Sequence, residues 1–241
     1  MPFSPDTFFY ALLGGIVPAL IWLYFLLKED ARCPEPRHVI LIAFGAGMLA
    51  VPLSLPFEHL AVVMLPGGEP APGIHVLTAW ATIEEVAKYS LAAIFVLWRR
   101  DVNESIDFVV YMITVALGFA AVENMLFLIG PLTDGHLSAG IATQNLRFIG
   151  STLVHIICSA IIGFGLGLTF LSGKVAKTLA VFAGLILAIA LHTTFNFLII
   201  LRDGSHTLFA FLTVWTGTII FLGLFEILKY FRYRRLPKNT C

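Results

Sequence analysis

The sequence is poor in charged residues, and this scarcity limits the class of protein before any motif is considered. Only 12% of its 241 residues are charged, whereas 59% are hydrophobic and the mean hydropathy is +0.91. A soluble domain of this size would carry about a quarter charged residues. Its three cysteines are isolated, so we expect no disulfide framework. The positive charges form no basic stripe that could neutralise phosphates, so we expect no nucleic-acid partner. The composition indicates an integral membrane protein.

Long apolar runs are abundant. A helix needs about 20 apolar residues to cross the ~30 Å hydrocarbon core, and seven stretches reach that length. They are 8–27, 39–57, 75–98, 107–129, 148–171, 178–201 and 207–228. The connections near 58–74 and 130–147 are rich in glycine and proline, and we expect them to be loops, one of which could lie on the outer membrane surface. The sequence predicts one all-α transmembrane bundle, a single domain over 1–241.

The positive charges predict the orientation of this bundle. Alternate connections hold twelve Lys or Arg residues on one side and only two, Arg147 and Arg202, on the other. The larger set comprises Lys28, Arg32, Arg37, Arg99, Arg100, Lys174, Lys177, Lys229, Arg232, Arg234, Arg235 and Lys238. Because cytoplasmic loops carry the excess of basic residues, we expect the N-terminus outside and the C-terminus in the cytoplasm.

A few polar residues interrupt the apolar spans. They are Glu84, Glu85, Lys88, Glu123, Asn124, His155, His192 and Asn196. A charge at the centre of a span costs ~2.5–3.5 kcal/mol on insertion scales, so such residues indicate a functional site by default.

Spacing and depth strengthen this interpretation. Lys88 follows Glu84 by four residues and Glu85 by three, so it can reach either carboxylate along one helix face. Counted from the outer span boundaries at 1.5 Å per residue, Glu85, Glu123, His155 and His192 all lie ~9–15 Å deep. The helices run in opposite directions, so this agreement was not required. These residues could line one water-filled cavity.

Such a cavity could carry out hydrolysis. A glutamate could accept a proton from water while histidine and asparagine donate hydrogen bonds to the developing oxyanion. No cofactor is required by the sequence, but the same residue types could bind a divalent metal such as zinc and activate its water. The candidate metal ligands are Glu85, Glu123, His155 and His192.

Four sequence motifs resemble those of the PrsW family of intramembrane proteases, which is related to the CAAX prenyl proteases. Residues 83–88 match an EExxK motif, residues 116–124 match FxxxEN, His155 matches a lone histidine, and residues 192–196 match HxxxN. The resemblance covers about 75–200. Four motifs in order, each on a separate span, are far more specific than a pair of glutamates.

The resemblance implies a protease of the bacterial cytoplasmic membrane that cleaves membrane-anchored proteins. The family's best-known role is the first cut of an anti-sigma factor near the extracytoplasmic face. It further implies that Glu84 and Glu85 activate water and that His192 and Asn196 lie near the scissile carbonyl. The remaining matches complete the site, with His155 and Glu123 in it and Lys88 and Asn124 supporting it. The absence of an HExxH motif excludes a zincin but leaves both a metal mechanism and a glutamic mechanism open.

Other interpretations of the same residues stay open at this point. A transporter or proton relay also needs carboxylates and histidines inside the membrane, although no inverted repeat is evident. A haem protein could use His155 and His192 as axial ligands, but this would leave the glutamates unexplained. The glutamates and Lys88 could also form a structural ion pair, and His192 with Asn196 could join helices by hydrogen bonds.

Overall fold

The computed structural model describes residues 5–29, 34–67, 72–201 and 206–235, and all its regular elements within these ranges are helical. The eight helices are α1 (Pro5–Glu29), α2 (Arg37–Met64), α3 (Ile74–Ala92), α4 (Asp107–Thr133), α5 (Leu137–Ile149), α6 (Ser151–Leu168), α7 (Lys174–Asn196) and α8 (Thr207–Arg235). Helices α3 and α7 each continue into a π-helical turn, Ala93–Leu97 and Phe197–Leu201. The all-α prediction is confirmed.

Helix α4 forms the centre of the bundle. Every side chain from Asp107 to Ala121 is buried, because α1, α2 and α6 all pack on this helix. Helix α3 packs between α2 and α7, and α7 and α8 pack on α6. A helix that is apolar on every side is stable only when it is surrounded in this way or lies in lipid. Beyond Ala121 most side chains of α4 are no longer fully buried, and this part of the helix carries Glu123 towards one end of the bundle.

Two glycines allow α2 and α4 to approach closely. A Cβ atom at Gly47 would lie 1.9 Å from the carbonyl oxygen of Val115, and one at Gly118 would lie 2.0 Å from that of Phe44. Each glycine therefore faces the backbone of the other helix. Small residues permit this kind of backbone contact between membrane helices, where packing rather than the hydrophobic effect drives association.

Six helical segments are long and apolar enough to cross a membrane: Pro5–Glu29, Arg37–Met64, Asp107–Thr133, Ser138–Leu168, Lys174–Ile200 and Thr207–Tyr230. Helix α3 is not among them, because Glu84, Glu85 and Lys88 raise its charge. It nevertheless lies in the bundle, between α2 and α7. The structure is thus consistent with about seven spans, and the protein is an integral multi-pass membrane protein.

The predicted loops contain more helix than we expected. Helix α2 continues through Pro52 and Pro56 to Met64, into the segment predicted as a loop over 58–74. Both prolines lie on the exposed face of α2. The connection predicted over 130–147 contains the end of α4 and most of α5. The glycines and polar residues there suggested a loop, but α5 is an amphipathic helix with little burial of its own.

Several basic residues and cysteines of the sequence lie outside the described part of the chain. They are Arg32, Cys33, Arg202, Lys238 and Cys241. Within the described part, Lys28, Arg37, Arg99 and Lys174 all lie at the same end of the bundle, since they lie at the matching ends of successive helices. The C-terminal half of α4, which carries Glu123, extends towards the opposite end of the bundle.

Candidate active site

The structure brings the polar residues of four spans together. Glu85 and Lys88 on α3 are fully buried, with 0% exposure, and His155 on α6 and His192 on α7 are 1% and 3% exposed. Glu123 on α4 is partly buried beside them. The two imidazole rings meet edge to face with centroids 5.0 Å apart. Residues distant along the sequence therefore form one cluster.

Lys88 connects two parts of this cluster. Its ammonium group donates to Glu85 Oε1 at 2.6 Å and lies 2.9 Å from His155 Nδ1. It also lies 4.6 Å from the centre of the Phe119 ring. An ammonium group can only donate, so Nδ1 of His155 must offer its lone pair to Lys88. The proton of a neutral His155 is then on Nε2.

Glu123 and Glu85 each hold one histidine. Glu123 Oε2 lies 2.8 Å from His155 Nε2, and Glu85 Oε1 lies 2.9 Å from His192 Nδ1. A carboxylate accepts hydrogen bonds, so both contacts orient the ring and fix its tautomer. In a neutral His192 this leaves the lone pair on Nε2. In this state Nε2 can bind a metal or accept a proton. To donate a hydrogen bond to an oxyanion, as we expected from the sequence, His192 would need a proton on Nε2.

Arg147 of α5 covers one side of the cluster. Its Nη2 donates to Glu123 Oε2 at 2.5 Å, and its Nε donates to Asn124 Oδ1 at 2.6 Å. Asn124 in turn donates to Thr152 Oγ1 at 3.1 Å. The guanidinium lies 3.9 Å from the centre of the Phe127 ring. Asn124 therefore links Arg147 to Thr152 beside the cluster.

Glu84 occupies the gap between the two histidines. Its Oε2 atom lies 3.9 Å from His155 Nδ1 and 3.9 Å from His192 Nε2, and has no hydrogen-bond partner among the described residues. The three side chains each offer one ligand atom within 4.8 Å of the others. Two imidazoles and one carboxylate are a donor set used by catalytic zinc. A buried carboxylate oxygen without a partner is costly, so this set fits a divalent ion.

The charges of the cluster also favour a bound cation. It holds three carboxylates, Glu84, Glu85 and Glu123, and two cations, Lys88 and Arg147. With both histidines neutral, one negative charge is not compensated. A cation or an additional proton near Glu84 would balance it.

A cavity of about 650 Å³ lies beside the cluster. Its polar lining includes Glu58, Glu84, Glu123, Arg147, His192 and Asn196. The rest is mostly apolar, with residues such as Leu55, Phe127 and Phe211. Asn196 ends α7, directly before the π-helical turn, and such turns are frequent at functional sites. The cavity lies on the Glu123 side of the bundle.

The structure adds residues that sequence reasoning missed. Arg147 had appeared only as a loop charge, and Glu58 lies in a segment predicted as a loop. Thr152 gave no signal in the sequence. Among the metal candidates, Glu85 and Glu123 contact the ring nitrogens of the histidines, whereas Glu84 groups with the histidines themselves.

Comparison with known proteins agrees with this picture. Residues 35–224 match the family model described as PrsW family intramembrane metalloprotease. The chain is similar to Protease PrsW of Geobacillus kaustophilus, with 28% identity over 81% of this chain and 82% of the relative. It is also similar to Protease PrsW of Bacillus subtilis, with 27% identity over 79% of this chain and 83% of the relative.

A third relative covers almost the whole molecule. Protease PrsW of Oceanobacillus iheyensis is 27% identical over 95% of this chain and 97% of the relative. No solved structure matches the chain. Because the family model covers most of the sequence, the chain belongs to the PrsW family of intramembrane metalloproteases.

Proposed function

We propose that the protein is an endopeptidase of the bacterial cytoplasmic membrane that cuts membrane-anchored proteins near the extracytoplasmic face. An anti-sigma factor with a single transmembrane segment is a substrate of this kind. The proposal depends on one observation: the ligand atoms of Glu84, His155 and His192 lie within 4.8 Å of one another, beside a cavity of about 650 Å³. The excess of basic residues at the opposite end of the bundle supports the extracytoplasmic position of this site.

Glu84, His155 and His192 would hold a divalent ion such as zinc. A bound ion of this type supplies Lewis acidity, which stabilises a developing oxyanion and makes water a better nucleophile. Glu85 and Glu123 would orient the two histidines, as carboxylates commonly do for metal-binding imidazoles. Lys88 would keep its bond to Glu85 and give up its contact with His155 Nδ1, since one lone pair cannot serve two partners.

Glu84 is also the better candidate for a base in a mechanism without an ion. It lines the cavity, whereas Glu85 is fully buried and bound to Lys88 and His192. Glu84 could therefore accept a proton from a cavity water. Asn196, which lines the same cavity, could donate its amide hydrogen to the carbonyl oxygen of the scissile bond.

Purified protein in proteoliposomes with a tagged single-span substrate tests the proposal. We expect Glu84→Gln and Glu85→Gln to lose at least a hundredfold in cleavage rate, because each removes a charge from the cluster. Glu226→Gln is the matched control, since Glu226 is exposed and pairs with Lys229 in the C-terminal part of α8, whereas the residues of α8 that line the cavity are at its N-terminal end. Wild-type cleavage rates in both site variants would remove the proposed centre.

Removal of metal distinguishes the two mechanisms. The ion mechanism predicts that a chelator abolishes cleavage by the wild-type protein and that added zinc restores it. Metal analysis of the purified protein should then give about one ion per chain, and less in His155→Ala and His192→Ala. Full activity of metal-free protein would contradict the ion mechanism and favour Glu84 as the base.

A further inference from the structure

One carboxylate of the cavity takes no part in the hydrogen bonds and ion pairs of the cluster. Glu58 on α2 lines the cavity and is half-buried. Within the part of the chain that the structure describes, its carboxylate forms neither an ion pair nor a hydrogen bond, and only its backbone carbonyl is engaged, by Trp80 Nε1 at 3.1 Å. The proposed catalysis makes no use of Glu58.

The surroundings of Glu58 are unfavourable for an unpaired negative charge. Most other residues that line this cavity are apolar, including Val51 and Leu55 on the same helix. The cations of the active site are already held, Arg147 by Glu123 at 2.5 Å and Lys88 by Glu85 at 2.6 Å. A carboxylate in an apolar cleft attracts cations more strongly than one in open solvent. Glu58 is therefore suited to bind a positive group that enters from outside.

The cavity has an opening through which such a group could come. Leu55 on α2, Phe127 on α4 and Leu146 on α5 line the cavity and are also exposed. Helices α2 and α5 both pack on α4 but form no extensive interface with each other. The opening therefore lies on the flank of the bundle, between α2 and α5, where the exposed apolar residues would face lipid.

The position of Glu58 along α2 fits the end of a transmembrane segment. Glu58 lies six residues before Met64, the last residue of α2, which corresponds to ~9 Å along the helix axis. A lysine or arginine close to the end of a membrane span extends its charged group towards the interface. Such a side chain could reach Glu58 while the apolar part of the segment contacts Leu55 and Phe127.

We propose that the opening between α2 and α5 receives the transmembrane segment of the substrate, and that Glu58 binds a lysine or arginine near its extracytoplasmic end. This inference rests on the proposed function, because it assumes that the substrate is a membrane-anchored protein. It assigns the selection of substrate to a residue that is separate from the proposed hydrolytic centre.

The test measures binding as well as cleavage. Three labelled transmembrane peptides of about 25 residues carry Lys, Gln or Glu near the extracytoplasmic end and are otherwise identical. Their Kd values are measured by fluorescence anisotropy with the full-length protein in nanodiscs. We expect the Lys peptide to bind roughly tenfold more tightly than the Glu peptide, as for one charge-assisted contact. Glu58→Gln should remove this difference, Glu58→Lys should reverse it, and Glu226→Gln should retain it.

Equal Kd values for the three peptides with the wild-type protein would overturn the proposal, and this comparison does not depend on the folding of any variant. Retention of the Lys preference in Glu58→Gln would overturn it as well. Cleavage of the same peptides separates the two hypotheses. Selective binding without cleavage would contradict the proposed protease function alone, whereas cleavage with no charge preference would contradict only the role of Glu58.

Discussion

The buried pair of Lys88 and Glu85 offers a quantitative test of the cluster. Both side chains are 0% exposed, and their charged atoms are 2.6 Å apart. Removal of one partner from a buried pair leaves an uncompensated charge and typically costs about 3–5 kcal/mol. We therefore expect Lys88→Met to lower the free energy of unfolding by about this amount. In a chain of this size, that corresponds to a decrease in Tm of roughly 6–20 °C.

A second variant shows whether the loss comes from the charge rather than from packing. In the double variant Lys88→Met/Glu85→Gln, neither residue is charged, and the amide oxygen of the new side chain can still accept from His192. We expect this variant to recover much of the lost stability, because replacement of both partners of a buried pair is often close to neutral.

Thermal unfolding of detergent-solubilised protein, followed by tryptophan fluorescence, gives the four Tm values needed, those of the wild-type protein, Lys88→Met, Glu85→Gln and the double variant. The coupling between the two substitutions is the difference between the double variant and the sum of the single variants. A Tm for Lys88→Met within 2 °C of the wild-type value would refute Lys88 as the buried counter-ion. A double variant less stable than Lys88→Met would refute the charge argument.

Two further predictions concern the packing and the outer side of the site. Gly118→Leu should prevent folding, because its Cβ would lie 2.0 Å from the carbonyl oxygen of Phe44. Size-exclusion profiles of this variant should show aggregated protein. The control Gly45→Leu should remain monodisperse, because a Cβ at Gly45 would have no neighbouring atom within 4 Å. Arg147→Gln should lower kcat roughly 10–100-fold, since partners of this kind orient the active groups, and Arg147→Lys should recover part of the loss because it restores the charge beside Glu123. A wild-type kcat for Arg147→Gln would show that this contact does not support the site.

The core of the site could be predicted because charge inside a membrane is expensive. Glu84, Glu85 and Lys88 interrupt an apolar span, and His155 and His192 do the same in two others. Hydrocarbon tolerates such residues only when they have partners or a function. Equal depth then indicated that they meet, which is where the structure gathers them.

The remaining contacts could not be predicted from the sequence. Arg147 and Glu58 lie in segments whose glycines and prolines suggested loops, and only the helical paths of α5 and α2 bring them to the cavity. Which ring nitrogen of each histidine carries the proton also cannot be predicted from a sequence pattern, because it depends on the orientation of the side chains. Side-chain orientation likewise determines that Glu84, rather than Glu85, groups with the two histidines. The positions of glycines that permit helix contact, such as Gly47 against Val115, equally require the register of both helices.

The most direct test of the account is the position of the cut in a reconstituted single-span substrate. Mass spectrometry of both fragments, after cleavage by the purified protein, identifies the scissile bond. The proposed site predicts one cut ~9–15 Å below the extracytoplasmic edge, which is about 6–10 residues along a helical substrate. A cut in the cytoplasmic half of the segment, or a substrate that stays intact with fully folded protein, would contradict a hydrolytic centre formed by Glu84, His155 and His192.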